Sequence, residues 1–125
     1  PLEEFLVASP LFDQLMIVGQ DQKQLGVLLV PNFEEVLVRA RQKGLVLKED
    51  KVRSEGDKHL IKLLIRKINE LLASRKGSRA EERVAGVALV EPFTIENGLL
   101  TQTLKQRRDK IVERDIKAIK KIYNR

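Results

Sequence analysis

Between Asp57 and Ser74 the apolar residues Leu60, Ile61, Leu64, Ile65, Ile68, Leu71 and Leu72 recur at steps of three and four. That spacing puts them on one stripe of an α-helix, with Lys, Arg, Asn and Glu on the opposite side. A helix of this kind gains most of its stability by laying its stripe on another apolar surface. The remainder of the chain must therefore supply such a surface.

Three segments read as strands that could do so. Leu11 to Gly19 alternates, with Leu15 and Ile17 on one face and Met16 and Val18 on the other. Leu25 to Val30 is a second strand, and the polar run Gln20 to Gln24, bracketed by Gly19 and Gly26, reads as a hairpin connection. Val84 to Val90 is continuously apolar, as expected of a central strand covered on both faces, and Glu91-Pro92-Phe93 ends it. Pro1 to Ser9 carries Leu2, Phe5 and Leu6 at helical spacing and stops at Pro10. Asn32 with Glu35 three residues on forms a capping-box pattern after Pro31; Phe33, Val36, Leu37 and Ala40 give that helix its inner face, and Gly44 its stop. Lys48 to Gly56 and Lys76 to Glu82 read as charged loops. Val112, Ile116, Ile119 and Tyr123 line one side of a final helix. The sum is α+β, a small three-stranded sheet including a hairpin, covered by about four helices.

The length, 125 residues, suits one domain, and 42% hydrophobic with 34% charged residues is a globular composition. Cysteine is absent, which excludes disulfides, thiolate metal sites and cysteine nucleophiles. No run approaches the roughly 20 apolar residues of a membrane-spanning helix. The chain opens without Met, directly in an amphipathic pattern, and is expected to be a piece of a longer polypeptide. A net charge of +6 admits nucleic acid, anionic lipid or phosphorylated ligands as partners without choosing among them.

The basic character concentrates where chemistry is plausible. Asn97-Gly98-Leu99-Leu100-Thr101-Gln102-Thr103-Leu104-Lys105-Gln106-Arg107-Arg108 starts as an Asn-Gly turn and runs into the last helix, with Lys105 at the join. Cations at the electropositive end of a helix break a local rule, offset only in part by Asp109. Such a junction suits an anionic ligand, a phosphate or a carboxylate. It is equally read as a helix that begins with solvated charges.

The same run resembles the C-terminal lysine motif of long-chain fatty acyl-CoA synthetases, AMP-forming members of the adenylate-forming acyl/aryl-CoA ligase superfamily. Thr103-Leu104-Lys105-x-x-Arg108 is similar to the superfamily's Ser-Gly-Lys-x-x-Arg, with Leu104 in place of glycine. Val18-Gly19-Gln20-Asp21 with Leu25-Gly26 resembles a hairpin motif of the family, and Pro1-Leu2-Glu3 the end of the segment after its interdomain hinge. Gln102 and Asp115 depart from the pattern, where proline and an aromatic are frequent. The resemblance implies that residues 1–125 form the mobile C-terminal lid domain, with the larger N-terminal adenylating domain absent. It implies Lys105 as the catalytic lysine for adenylation, Arg108 and Thr103 in supporting roles, and Asn97 and Gly98 as shapers of the turn. Fatty acid, ATP with Mg2+ and CoA, or an acyl carrier protein in place of CoA, would be the substrates and cofactors. The N-terminal domain would hold most of the ATP and metal contacts, and the isolated fragment would be inactive. A cytoplasmic location, with peripheral membrane contact, goes with this reading.

Other candidates are weaker. His59, the only histidine, lacks carboxylate or histidine neighbours at ligand spacing, so no metal site is expected. The pairs Glu3-Glu4, Glu34-Glu35 and Glu81-Glu82 are adjacent rather than convergent and read as solvated charge. A basic nucleic-acid-binding module is the alternative from another class, but aromatics are only 4% and leave little to stack on bases. Lys117, Lys120, Lys121 and Arg125 on one side of the last helix could face anionic lipid as an accessory property.

Overall fold

The computed structural model describes residues 2–19, 22–45, 58–79 and 82–123. Helix α1 (Leu2–Val7) leads into strand β1 (Phe12–Val18), which forms an antiparallel pair with β2 (Leu25–Pro31). Then come α2 (Phe33–Gln42), α3 (Lys58–Ser74), β3 (Val84–Leu89), α4 (Arg108–Arg114) and α5 (Ile116–Tyr123). Strand β3 runs parallel to β2, from Leu25 opposite Val84 to Leu29 opposite Leu89. Parallel neighbours need a long crossover, and the two helices α2 and α3 provide it. The α+β expectation therefore holds, with five helices around three strands among the described residues. Gln20, Asp21 and the segment Lys48 to Gly56 lie outside the described residues.

The alternation in β1 sorts as expected. Leu15 and Ile17 join Val27 and Leu29 in a core closed by α1, α2 and the Leu60, Leu64, Ile68 and Leu72 stripe of α3. Met16 and Val18 join Leu28 and Val30 on the other face, beneath Phe93, Leu99 and Ile111. A one-residue period change would swap the two sets, so the pleat fixes both cores together.

Strand order corrects one expectation. The order is β1-β2-β3, so β2 is central and β3, read from its apolar run as the middle strand, lies at the edge. Both faces of β3 are nevertheless covered, because α3 packs on one side and α5 on the other. Coverage on two faces makes a strand uniformly apolar wherever it lies in the order.

Local signals act as their chemistry requires, with one exception. Asn32 caps α2 by accepting the Glu35 N–H at 3.3 Å. The Asn32 N–H itself donates to Leu11 O at 2.9 Å, extending the hairpin, so Asn32 has no need of the reciprocal half of a capping box. The C-terminal helix, expected to be continuous, divides at Asp115, where φ is −104° and ψ 22°. Arg114 pairs with Asp115 and reaches the carbonyls of Pro92 and Glu91 at 3.1 and 2.7 Å, its guanidinium 5.4 Å from the Phe93 ring centre. Consecutive residues do not face each other on an unbroken helix, so this pairing goes with the break. The apolar face changes accordingly: Ile111 and Ile122 are buried, Val112, Ile119 and Tyr123 are half-buried, and Ile116 is 39% exposed.

Candidate functional site

The segment between Pro92 and α4 is two successive turns, each braced by side chains. Asn97 organises the first. Its Oδ1 accepts the N–H groups of Thr94 at 3.0 Å and Leu99 at 3.1 Å, its Nδ2 donates to Pro92 O at 2.9 Å, and its own N–H donates to Thr94 Oγ1. Gly98 follows with φ +79°, a left-handed conformation that L side chains rarely adopt. Asn97 thus braces the turn through its side chain, and Gly98 takes the left-handed position that follows it.

The second turn carries Lys105. Leu100 and Gln106 form an antiparallel bridge, and the Arg107 N–H donates to Leu99 O at 2.9 Å. Thr101 closes the tip: its N–H donates to Lys105 O at 2.8 Å, its carbonyl accepts from Leu104 N–H at 2.9 Å, and its hydroxyl accepts the Lys105 N–H at 3.1 Å. Leu104 sits at φ +66°. Glycine would adopt that conformation freely; in leucine it costs about 1 kcal/mol. Leu104 is also 66% exposed.

Lys105 therefore does not stand at a helix start. It projects from a small hairpin, three residues ahead of α4, and α4 has only seven residues with no side-chain cap at Arg107. The macrodipole argument carries nothing here. What the hairpin does provide is a backbone held on both sides of Lys105 and an exposed side chain. Among the described residues no carboxylate pairs with its ammonium. A lysine with a fixed root and an unspent charge can move its Nζ through several ångströms at little cost and meet an anion on arrival.

Arg108 does not share a helix face with Lys105; its guanidinium is paired with the Glu3 carboxylate, whose other oxygen accepts the Ile17 N–H at 2.7 Å. Glu3 is thus no solvated charge. Thr103 is exposed, its hydroxyl 3.1 Å from that of Thr101. The loop is held along its length, because side chains meet its backbone groups one by one.

Sequence reasoning missed Glu3, Gln14 and Gln106. Each satisfies main-chain groups of a distant segment: Gln14 exchanges two 2.8 Å hydrogen bonds with the Phe93 backbone, and Gln106 Nε2 donates to Leu15 O at 2.8 Å. No local signal marks such pairs, which join residues 79 and 91 positions apart. His59 is exposed on the first turn of α3. Among the described residues no three His, Cys, Asp or Glu side chains converge as a metal site would require. Nor is any helix among them long and apolar enough to cross a membrane. Lys117, Lys120 and Lys121 are exposed on α5, and Arg125 lies outside the described residues.

No protein-family model matches the chain. Two curated proteins of Arabidopsis thaliana do: the probable acyl-activating enzyme 16, chloroplastic, 37% identical over 123 residues, and the chloroplastic long-chain-fatty-acid–[acyl-carrier-protein] ligase AEE15, 32% identical over 124. Each alignment covers 98% of this chain. Among solved structures, the adenylation domain of a carboxylate reductase from Mycobacterium chelonae superposes with a TM-score of 0.75 at 22% identity, over 99% of this chain and 17% of that one. The adenylation–carrier didomain of a carboxylic acid reductase from Segniliparus rugosus, in complex with AMP, gives 0.74 at 24% identity, over 98% of this chain and 15% of that one. Over nearly all of its length the chain is similar to one part of these acyl-activating proteins, and it has the fold of the small C-terminal domain of adenylate-forming enzymes. It spans 16% and 15% of the two curated relatives it matches. The lysine hairpin and the Glu3–Arg108 pair both reach the backbone of β1, through Leu15 and Ile17 respectively.

Proposed function

We propose that this chain is the lid domain of an AMP-forming ligase acting on long-chain fatty acids, and that Lys105 is its catalytic residue for adenylation. The observation that carries this reading is the exposed Lys105, paired with no carboxylate among the described residues, on a hairpin whose backbone is held on either side.

The chemistry asks for such a group. A carboxylate oxygen must bond to the α-phosphorus of ATP as the bond from that phosphorus to the pyrophosphate oxygen breaks, giving acyl-AMP and pyrophosphate. Both reactants are anions. A cation between them lowers their repulsion and holds the attacking oxygen in line. Lysine can bridge two oxygens as a point charge without the bidentate geometry arginine prefers. The domain then turns on its partner and Lys105 withdraws; in the second step the thiol loses its proton to solvent and its sulfur bonds to the acyl carbon as the bond from that carbon to AMP breaks. Magnesium bound with ATP would neutralise further phosphate charge, its ligands supplied by the larger domain and the phosphates.

CoA is one acceptor for the second step. A carrier-protein thiol is the other, favoured by the relative whose name specifies acyl carrier protein. Thioester assays on the whole enzyme with each acceptor separate them.

The central test uses the whole enzyme carrying Lys105→Ala. Adenylation, read as pyrophosphate exchange, should fall about a hundredfold or more, while thioester formation from preformed acyl-adenylate persists. Equal loss in both half-reactions would overturn the assignment.

A further inference from the structure

We infer that Gln106 is a positioning residue for Lys105, acting through a clasp that ties the lysine hairpin to the free edge of β1. The inference rests on the proposed role of Lys105 and adds a residue that the motif does not mark.

Three observations carry it. First, β1 is an edge strand, so every other residue turns its N–H and C=O away from β2. Second, two of these outward groups are taken by side chains rather than by another strand: Leu15 O accepts from Gln106 Nε2 at 2.8 Å, and Ile17 N–H donates to Glu3 at 2.7 Å. Third, Glu3 is paired in turn with Arg108, two residues beyond Gln106. The hairpin is thus anchored at its closing strand and again at the start of α4, and both anchors grip the same short stretch of β1.

The anchors lie on one side of Lys105 only. On its other side the tip is held by Thr101 alone, and Thr101 belongs to the hairpin itself. Of all the contacts near the lysine, the Gln106 amide is therefore the one, among the described residues, that fixes the residue adjoining Lys105 to the sheet. Without it the hairpin keeps its internal hydrogen bonds and can pivot about Arg107. A pivot at that point is amplified along the lysine side chain, and displacement of a reacting group by about 1 Å is enough to cost up to a hundredfold in rate. Leu104, held at positive φ and largely exposed at the tip, indicates a hairpin whose shape is kept despite local cost.

A merely structural glutamine would lower stability and both half-reactions alike. A positioning glutamine acts only where Lys105 acts. The test is a cycle of whole-enzyme variants: Gln106→Ala, Gln106→Glu, Lys105→Ala and the double variant Lys105→Ala with Gln106→Ala. Gln106→Ala is expected to lower kcat for pyrophosphate exchange about tenfold or more with KM for ATP little changed, and to spare thioester formation from preformed acyl-adenylate. Gln106→Glu, which keeps the shape but sets a carboxylate against the Leu15 carbonyl, should do at least as much. In the Lys105→Ala background the Gln106→Ala change should be silent. If it lowers exchange by the same factor there, or lowers both half-reactions equally, the positioning role is wrong while the reading of Lys105 stands. If Lys105→Ala itself leaves exchange intact, the underlying reading fails and this inference with it.

Discussion

Gly86 lies where α5 crosses the sheet, and its replacement by alanine gives a sharp test of how that helix is seated. A Cβ added there would stand 2.6 Å from Ile122 Cγ2, 3.4 Å from Ile122 Cβ and 3.6 Å from Ile122 Cγ1. Ordinary carbon contacts begin near 3.5 Å, so either α5 retreats by about 1 Å or Ile122 leaves its rotamer. Overpacking of this kind costs about 1–3 kcal/mol. Loss of glycine's freedom in the unfolded chain offsets about 0.4–1 kcal/mol of it. The net is a destabilisation of about 1–2 kcal/mol, a fall of roughly 4–10 °C in Tm for a domain between the size classes for which such shifts are known. Thermal unfolding followed by circular dichroism reads it directly. The decisive control is Ile122→Ala, which removes Cγ2 and Cγ1 and leaves only the 3.4 Å contact. In that background Gly86→Ala should cost almost nothing, since the two changes share one contact and cannot be additive. An equal cost in both backgrounds would show that the clash is not what makes glycine necessary.

Two further outcomes follow from hydrogen bonds made by side chains to strand backbone. Asn69 on α3 accepts the Val84 N–H at 2.8 Å and donates to Val84 O at 2.9 Å, so Asn69→Ala should lower stability by about 1–3 kcal/mol and speed hydrogen exchange at the Val84 amide; unchanged exchange would contradict this. Glu3→Ala should cost more than Arg108→Ala in denaturant unfolding, because it removes the hydrogen bond from the Ile17 N–H to the Glu3 carboxylate as well as the ion pair. The Arg108 side chain is 51% exposed against 21% for Glu3, so its loss alone should stay within about 1 kcal/mol, and a larger cost for Arg108→Ala would reverse the argument.

Patterns with a short period could be read directly from the residues. The stripe of α3, the alternation of β1 and the cap at Asn32 depend on neighbours three, two and three positions away, and local geometry alone sets which side they face. Lys105, Arg108, Asn97 and Gly98 stood out as a motif for the same reason of proximity. Composition also bounded the chemistry, since a chain without cysteine has no thiolate to offer.

Strand order, the break at Asp115 and the surroundings of Lys105 were decided only by the tertiary structure. An apolar run reports that a strand is covered, and both a central strand and a doubly covered edge strand are, so β3 could not be told from β2 by its residues. Glu3 and Gln106 look like surface residues in sequence because what they satisfy are backbone groups, which carry no residue type. Those groups lie on the edge of β1, and chain segments distant in sequence had to be brought alongside before Glu3 and Gln106 could reach them.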